Sequence, residues 1–470
     1  MAETIMLFAI PGFFLLIAVE LVAARWLGRQ VYRLNDAISS IGLGVLSQIS
    51  GVFSKALQVG IYAVVLQQVA LFELPVDSPW VWISGLLLYD FCYYWLHRAG
   101  HEVNLLWAAH VVHHQSERYN LSTALRQSSS GALFGWIFYL PMALLGFPLE
   151  VFAVVAVIDL LYQYWIHTEL VPKLGWFDRV FASPSNHRAH HAVNMRYLDR
   201  NYGGLLILWD RLFGTFVEED ERDPPVYGTR APLRSFNPLW ANLEVYAGLL
   251  RDTLRSRSWG DRFKLWFARP GWRPADVQTA DPKPEFDIAR SEFNPTLPPL
   301  RAAYVLLQFI ALLGAAVLFL MQAANWSLPA ALAYAFGLIL SLTTLGVLLE
   351  DHPRAAIFEA LRLFALALSG VVLHALSLAT TPSWLVYVLS AFAAVSLLLL
   401  WLSQARHATP PRASSAGAGG AVSSQGVQGD RAIGTAGLDE IAARRVVDGS
   451  FNEDGRKTSF SVIANTGGSP

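Results

Sequence analysis

Long apolar stretches constrain the fold of this 470-residue chain more than any other feature. The chain is 54% hydrophobic and only 15% charged, whereas soluble domains carry about 25% charged residues. A helix needs about 20 apolar residues to cross a bilayer. Runs near that length or longer cover residues 5–24, 39–72, 80–96, 131–166, 303–321, 328–349, 355–378 and 384–404. We therefore predict an all-α, multi-pass membrane helix bundle.

Charges beside the first run predict the orientation of the bundle. No basic leader with a small-residue cleavage site precedes 5–24, so we expect an anchor rather than a cleaved signal. Arg25, Arg29 and Arg33 follow this run, and positive residues concentrate on the cytosolic side. Successive crossings then return 80–96 to the cytosolic face, and an even number of later runs returns the C-terminal tail to it. The membrane would be a bacterial cell membrane or the endoplasmic reticulum.

The run 131–166 is interrupted at residues 146–148, which read Gly-Phe-Pro. Each half is short for a span, which favours a hairpin that dips into the membrane and returns. Two ordinary crossings would produce the same sidedness. In either case His167 lies on the same side as His114.

Composition divides the chain into three parts. Residues 1–300 are predicted to form a membrane-embedded catalytic domain, and residues 301–407 a segment of four transmembrane helices. Residues 408–470 are rich in Gly, Ala and Ser, cannot bury a core and are predicted to be disordered. Within 251–273, arginines are interleaved with tryptophans. That mixture suits either an anionic lipid surface or a solvated basic face.

Nine of the 12 histidines lie between residues 97 and 191. Spacings of three and four residues place helical side chains on one face, so each cluster can direct two or three imidazoles at one point. Neutral imidazole binds iron, zinc, copper and nickel. Nine ligands are too many for one ion, so we predict a cytosol-facing di-metal site rather than surface or core histidines without metal. The predicted ligands are His97, His101, His110, His113, His114, His167, His187, His190 and His191.

Acidic residues beside the histidines are candidates for supporting roles. Asp90 shares a helix face with His97 and His101, where its carboxylate could orient an imidazole or cap a polar patch in the bundle. Glu102 and Glu169 are candidate proton-transfer groups or solvated charges. Asp90, Glu102 and Glu169 are therefore the predicted catalytic residues besides the metal ligands.

Composition also excludes several functions. The formal net charge of -1 does not suggest a nucleic-acid partner. The single cysteine, Cys92, excludes a disulfide framework and a thiolate metal site. Iron held by histidines would activate oxygen, whereas zinc would activate water, and spacing alone does not choose between them. Ligands at the ends of membrane helices indicate a lipid substrate that arrives from the bilayer.

The residues around these clusters resemble the fatty acid hydroxylase/sterol desaturase superfamily of membrane di-iron oxygenases. The shared pattern is His-x3-His, His-x2-His-His and His-x2-His-His. The flanking residues are more specific, above all those of 101–127, 164–169, 183–187 and 201–216. Across about 80–240 they are most similar to the tetrahydrobiopterin-dependent ether-lipid oxygenases of that superfamily. The membrane helices after residue 300 agree with the same group.

The resemblance implies two iron ions held by the eight histidines of the three clusters, with His167 as an expected further ligand. It implies that O2 hydroxylates the ether-bearing carbon of a glyceryl ether in the membrane. The resulting hemiacetal would fall apart to a fatty aldehyde and glycerol. Tetrahydrobiopterin would supply the electrons, although no short pterin motif is visible in the sequence.

Two alternatives remain open. The same chemistry could act on a fatty acyl chain, a sterol or an amino-acid-containing lipid, with electrons from a separate carrier because no fused cytochrome domain is seen. A membrane metal transporter or metal-storing protein would also be rich in histidine. Transport sites usually lie near the bilayer midplane, whereas these ligands lie at helix ends, which argues against that class. The sequence leaves the oligomeric state open.

Overall fold

The computed structural model describes residues 2–375 and 383–405. Within these residues every regular element is a helix, and extended backbone pairs only at three isolated bridges. The all-α prediction is confirmed. The predicted disordered tail, 408–470, lies outside the described residues.

The chain begins with three long helices, and short helices connect the segments that follow. The helices up to residue 191 are α1 (Ala2–Trp26), α2 (Leu34–Val69), α3 (Pro79–Glu102), α4 (Asn104–Ala108), α5 (Val111–His114), α6 (Leu121–Ala124), α7 (Gly131–Leu144), α8 (Leu149–Trp165) and α9 (Pro184–His191). A 3-10 turn covers Phe177–Arg179.

The second half consists of amphipathic helices followed by four long apolar ones. They are α10 (Leu208–Phe213), α11 (Pro238–Arg255), α12 (Trp259–Phe267), α13 (Ala275–Ala280), α14 (Pro299–Gln322), α15 (Leu328–Leu349), α16 (Ala355–Ala375) and α17 (Ser383–Ala405). A second 3-10 turn, Ala323–Asn325, follows α14 directly.

Six helices of the described chain are long and apolar enough to cross a membrane. Their apolar spans are Ala9–Trp26, Leu34–Ser54, Pro299–Asn325, Leu328–Leu349, Ala355–Val372 and Trp384–Gln404. The chain is therefore a multi-pass membrane protein, as predicted. Helix α3, which the sequence also placed in the membrane, is not among the six.

Helices α7 and α8 form a helical hairpin over residues 131–166, and its predicted re-entrant course through the membrane stays a prediction. With 14 and 17 residues, they are about 21 and 26 Å long, shorter than the roughly 30 Å hydrocarbon core. The chain reverses at Gly146, whose φ is +85° and where a Cβ would overlap the carbonyl oxygen of Phe72. Leu71 N donates to Leu144 O at 2.7 Å. The tip of the hairpin is thus seated on the connection between α2 and α3, and α8 returns to the histidine end.

Helix α2 joins two apolar cores. On one side Tyr62 packs with residues of α3, α7 and α8, among them Tyr89 and Met142. On the other, Ile38 and Leu46 pack with residues of α14 to α17. The boundary predicted at residue 300 between two domains remains a prediction.

Candidate metal centre

The histidines are carried by four parts of the fold that meet at one end of the bundle. His97 and His101 occupy the last turns of α3, and His110 precedes α5, which contains His113 and His114. His167 follows α8. Helix α9 carries His187, His190 and His191 and is buried along its whole length. Ser183 caps its first turn by accepting a hydrogen bond from Asn186 N, and Pro184 suits its first position.

All nine predicted histidines converge, and they form two groups. The ring nitrogens within each group lie within 4.8 Å of one another. We call them the five-histidine group and the four-histidine group. The first contains His97, His101, His110, His114 and His190, and the second contains His113, His167, His187 and His191. Adjacent histidines 113 and 114 belong to different groups, as do 190 and 191, so α5 and α9 each contribute to both groups.

Backbone carbonyls determine which ring nitrogen of four histidines faces inward. The Nδ1 atoms of His113 and His167 lie 3.0 Å from Arg126 O and 2.7 Å from Gln163 O. His97 and His190 make the same kind of contact to carbonyl oxygens, at 2.8 Å each. A carbonyl oxygen can only accept, so each Nδ1 carries the proton. In the neutral ring, Nε2 then presents a lone pair to the centre.

The inward nitrogens fit a metal ion. Nε2 of His97, His101 and His190 is buried without a hydrogen-bond partner among the described residues. Nε2 of His113 lies 3.2 Å from Nε2 of His167, although both present lone pairs and cannot hydrogen-bond to each other. A cation bound to both removes this conflict. Ligand nitrogens about 2.1 Å from a metal and at right angles to each other would be about 3 Å apart.

Burial keeps the imidazoles in the form that binds metals. Desolvation is the largest cause that lowers the pKa of His113, to about 4. Burial likewise lowers the pKa of His110, His114, His187, His190 and His191. The rings are therefore neutral near pH 7, and no proton needs to be displaced before a metal binds.

Asp90 acts on the centre through the backbone. Its carboxylate accepts hydrogen bonds from Leu205 N at 2.7 Å, Leu206 N at 3.1 Å and the Trp209 indole at 2.8 Å. These contacts hold the segment whose Tyr202 carbonyl accepts from His97. Among the hydrogen bonds of the described residues, Asp90 contacts no imidazole directly but holds the loop that contacts His97, so its role at the centre stays a prediction.

The other two predicted carboxylates lie at the rim and are ion-paired. Glu102 contacts Arg98 at 3.1 Å and Arg269 at 3.7 Å. Glu169 contacts Arg29 at 3.3 Å. Both are partly exposed, and within the described residues neither makes a hydrogen bond to an imidazole, so their proton-transfer roles remain predictions.

Two supporting residues were missed by the sequence analysis. Asp210 accepts from Tyr202 N at 2.8 Å and Gly203 N at 2.7 Å, so it fixes the same loop as Asp90. The buried Arg126 donates from Nε to Val112 O at 2.8 Å while its carbonyl holds His113. Both residues belong to segments that follow the histidine clusters, residues 115–127 and 201–216, and a charged residue within such a segment was the available signal.

Comparison with known proteins assigns this centre to a class. A family model described as fatty acid hydroxylase matches residues 82–215, the segment that contains all nine histidines. A multi-pass helical membrane protein with this match and two histidine groups is a lipid hydroxylase of the fatty acid hydroxylase type, and hence an oxidoreductase. No solved structure matches the chain.

Curated relatives identify the particular family. The alkylglycerol monooxygenase of Homo sapiens is 39% identical over 358 residues, which cover 75% of this chain and 80% of that protein. That of Xenopus tropicalis is 38% identical over 354 residues, covering 74% and 78%. That of Danio rerio is 38% identical over 359 residues, covering 75% and 79%. The chain belongs to the alkylglycerol monooxygenase family, which confirms the resemblance and argues against the metal-transporter hypothesis.

Proposed function

We propose that the chain is a di-iron monooxygenase that cleaves the ether bond of alkylglycerols with O2 and tetrahydrobiopterin. One oxygen atom would hydroxylate the ether-bearing carbon, and the other would leave as water with two electrons and two protons from the pterin. The hemiacetal would then separate into a fatty aldehyde and glycerol. The observation that carries the proposal is the convergence of nine histidines into two buried groups, and the relatives' shared activity supports the substrate.

In this proposal the nine histidines are the metal ligands. Iron in an imidazole site with open positions supplies oxygen activation. The five-histidine group would hold one ion and the four-histidine group the other. The protein's own contribution is to keep the imidazoles neutral, to fix their orientation through backbone carbonyls and to keep water out by burial. Glu102 and Glu169 are the proposed proton-transfer groups at the rim.

A cytosolic orientation of the centre is also part of the proposal. Arg29, in the positive flank of the first span, donates to the carbonyl oxygen of Glu169 at 2.7 Å. Glu169 is two residues from His167, so the positive flank and the histidine centre share one end of the bundle. If the flank is cytosolic, the centre is too. A bacterial cell membrane or the endoplasmic reticulum would suit this topology.

A substrate assay tests the function. Membranes that contain the protein are incubated with an alkylglycerol, O2 and tetrahydrobiopterin, and fatty aldehyde is measured. We expect aldehyde from the parent chain and from the control variant His352→Ala, whose histidine lies outside both groups, and none from His113→Ala or His190→Ala.

One result would favour the second function considered above. If no aldehyde forms, and a hydroxylated acyl lipid, sterol or amino-acid-containing lipid appears when a protein reductase replaces the pterin, the substrate and electron donor proposed here are wrong. The metal centre would then be retained with a different substrate.

A further inference from the structure

Helix α11 exposes an apolar stripe that no described residue covers. Leu243, Leu250 and Leu254 are exposed, Leu254 to 70%. Spacings of seven and four residues place these side chains on one side of a helix. Trp240, three residues before Leu243, is also exposed and extends the stripe toward the start of the helix.

Helix α12 continues the pattern with aromatic residues. Trp259, Phe263 and Phe267 follow one another at intervals of four and are exposed to 80%, 72% and 54%. Contiguous exposed apolar surface of this kind marks a contact with another molecule or with a membrane.

The opposite sides of both helices are firmly docked next to the metal centre. Leu249 of α11 and Leu265 of α12 are buried against Ala108 of α4. The side chain of Asn104 donates to Leu265 O at 2.8 Å, and its backbone N–H donates to Ala268 O at 2.9 Å. Asn104 is three residues after His101. The position of α12 is therefore rigidly linked to the end of α3 that carries the first two histidines.

Basic side chains border the two stripes. Arg251, Arg257 and Lys264 are exposed, and the guanidinium of Arg262 lies 4.4 Å from the centre of the Trp259 ring. Arg273 is occupied by a buried ion pair with Asp252. Apolar and aromatic residues on one side with arginine and lysine beside them are typical of helices that lie in the interface of an anionic membrane.

We propose that α11 and α12 lie in the headgroup layer of the membrane that the six spans cross. The stripe residues Leu243, Leu250, Leu254, Trp259, Phe263 and Phe267 would insert into the acyl boundary, and Arg251, Arg257 and Lys264 would bind anionic phospholipid headgroups. The bilayer is the chosen occupant because the same compact chain already crosses it and because its anionic lipids complement these charges. Through their contacts with Asn104 and Ala108 of α4, the two helices would set the depth of the histidine centre relative to the lipid headgroups.

Site-directed spin labelling tests the proposal on the full chain. The sole cysteine, Cys92, is buried, so Cys92→Ala supplies a background for Phe263→Cys. The control label is placed by Gln278→Cys, at an exposed polar position of α13. Both proteins are reconstituted in vesicles of equimolar phosphatidylcholine and phosphatidylglycerol. Collision of each label with O2, which concentrates in lipid, and with a water-soluble nickel chelate is then measured.

We expect the label at 263 to collide mainly with O2 and the label at 278 mainly with the chelate. Replacing phosphatidylglycerol by phosphatidylcholine should raise the rate at which the label at 263 collides with the chelate. In the triple variant Arg251→Gln, Arg257→Gln, Lys264→Gln, this collision rate should no longer depend on phosphatidylglycerol. A label at 263 that meets the chelate as freely as at 278 would show a solvated face and overturn the proposal. A label shielded from both reagents would show a protein contact and overturn it too. Circular dichroism and elution volume matching the parent ensure that folded protein is compared.

Discussion

A backbone carbonyl decides which nitrogen of an imidazole faces the metal centre. His97, His113, His167 and His190 each contact a main-chain oxygen through Nδ1, which leaves Nε2 free to bind. The sequence predicted the histidines from their spacing alone. It could not predict their division into a five-histidine and a four-histidine group, because neighbours such as His113 and His114 point in different directions.

We predict that Asp90→Asn weakens metal binding without unfolding the bundle. The amide would place an NH2 group against one of the N–H donors that the carboxylate now accepts, which would loosen the loop that holds His97. Loss of such a supporting contact reduces metal affinity by about 10–100-fold. The measurement is the rate of metal loss to a chelator, beside thermal unfolding.

The control for this variant is Asp77→Asn, at an exposed position between α2 and α3. It should lose metal at the parental rate. If Asp90→Asn also kept the parental rate, the carboxylate would have no part in orienting His97.

At the scale of helices, the hydropathy of the sequence predicted where the apolar segments lie, but it did not predict the polar turns at which some helices begin. The predicted break at residues 146–148 lies between α7 and α8 as observed. Helix α2, however, begins at Leu34 rather than near residue 39. Its first turn contains the buried polar residues Asn35 and Asp36. Their burial is compensated by hydrogen bonds, because Asn35 donates to Leu349 O at 3.2 Å and Asp36 accepts from Ser116 at 2.7 Å. Partners so distant in sequence are invisible to a hydropathy window.

A second polar feature lies within the C-terminal spans. Glu359 and Arg362 of α16 form an ion pair through two contacts of 2.6 and 2.7 Å. From α14, Tyr304 donates to Glu359 Oε1 at 2.5 Å, and Gln308 Oε1 accepts from Arg362 at 2.8 Å. Charged residues in a membrane are costly unless paired, and this network pairs both charges while it links α16 to α14.

We predict that Glu359→Leu destabilises the folded chain strongly, since it leaves the Arg362 guanidinium buried without its counter-charge. Breaking a buried ion pair from one side costs about 3–5 kcal/mol. The double variant Glu359→Leu, Arg362→Leu removes both charges and should recover most of that loss. Thermal unfolding in detergent compares the two. A double variant no more stable than the single one would contradict the pairing.

The helix bundle of the described residues has two ends. The histidine centre and the contact between Arg29 and Glu169 lie at one end, and the connection between α2 and α3 lies at the other. That the positive flank and the histidines share an end could be predicted from the sequence by counting crossings. The close packing of α14 and α15 on α2 could not, because hydropathy assigns helices to the membrane without assigning them neighbours.

We predict that the histidine end faces the cytosol. In the Cys92→Ala background, Met195→Cys places an exposed thiol four residues after His191, and Asp77→Cys places one at the opposite end. A membrane-impermeant maleimide added to sealed membranes of known orientation should modify residue 77 from the non-cytosolic side and residue 195 only from the cytosolic side. The reverse pattern would contradict the proposed topology.

Metal content tests the di-iron centre most directly. Protein purified anaerobically should contain two iron ions per chain, since each histidine group can hold one. His113→Ala, in the four-histidine group, and His190→Ala, in the five-histidine group, should each lower that number, and the control His352→Ala should not. A parent chain with one metal or none, or a content that neither histidine variant changes, would contradict a di-iron centre built from these nine histidines.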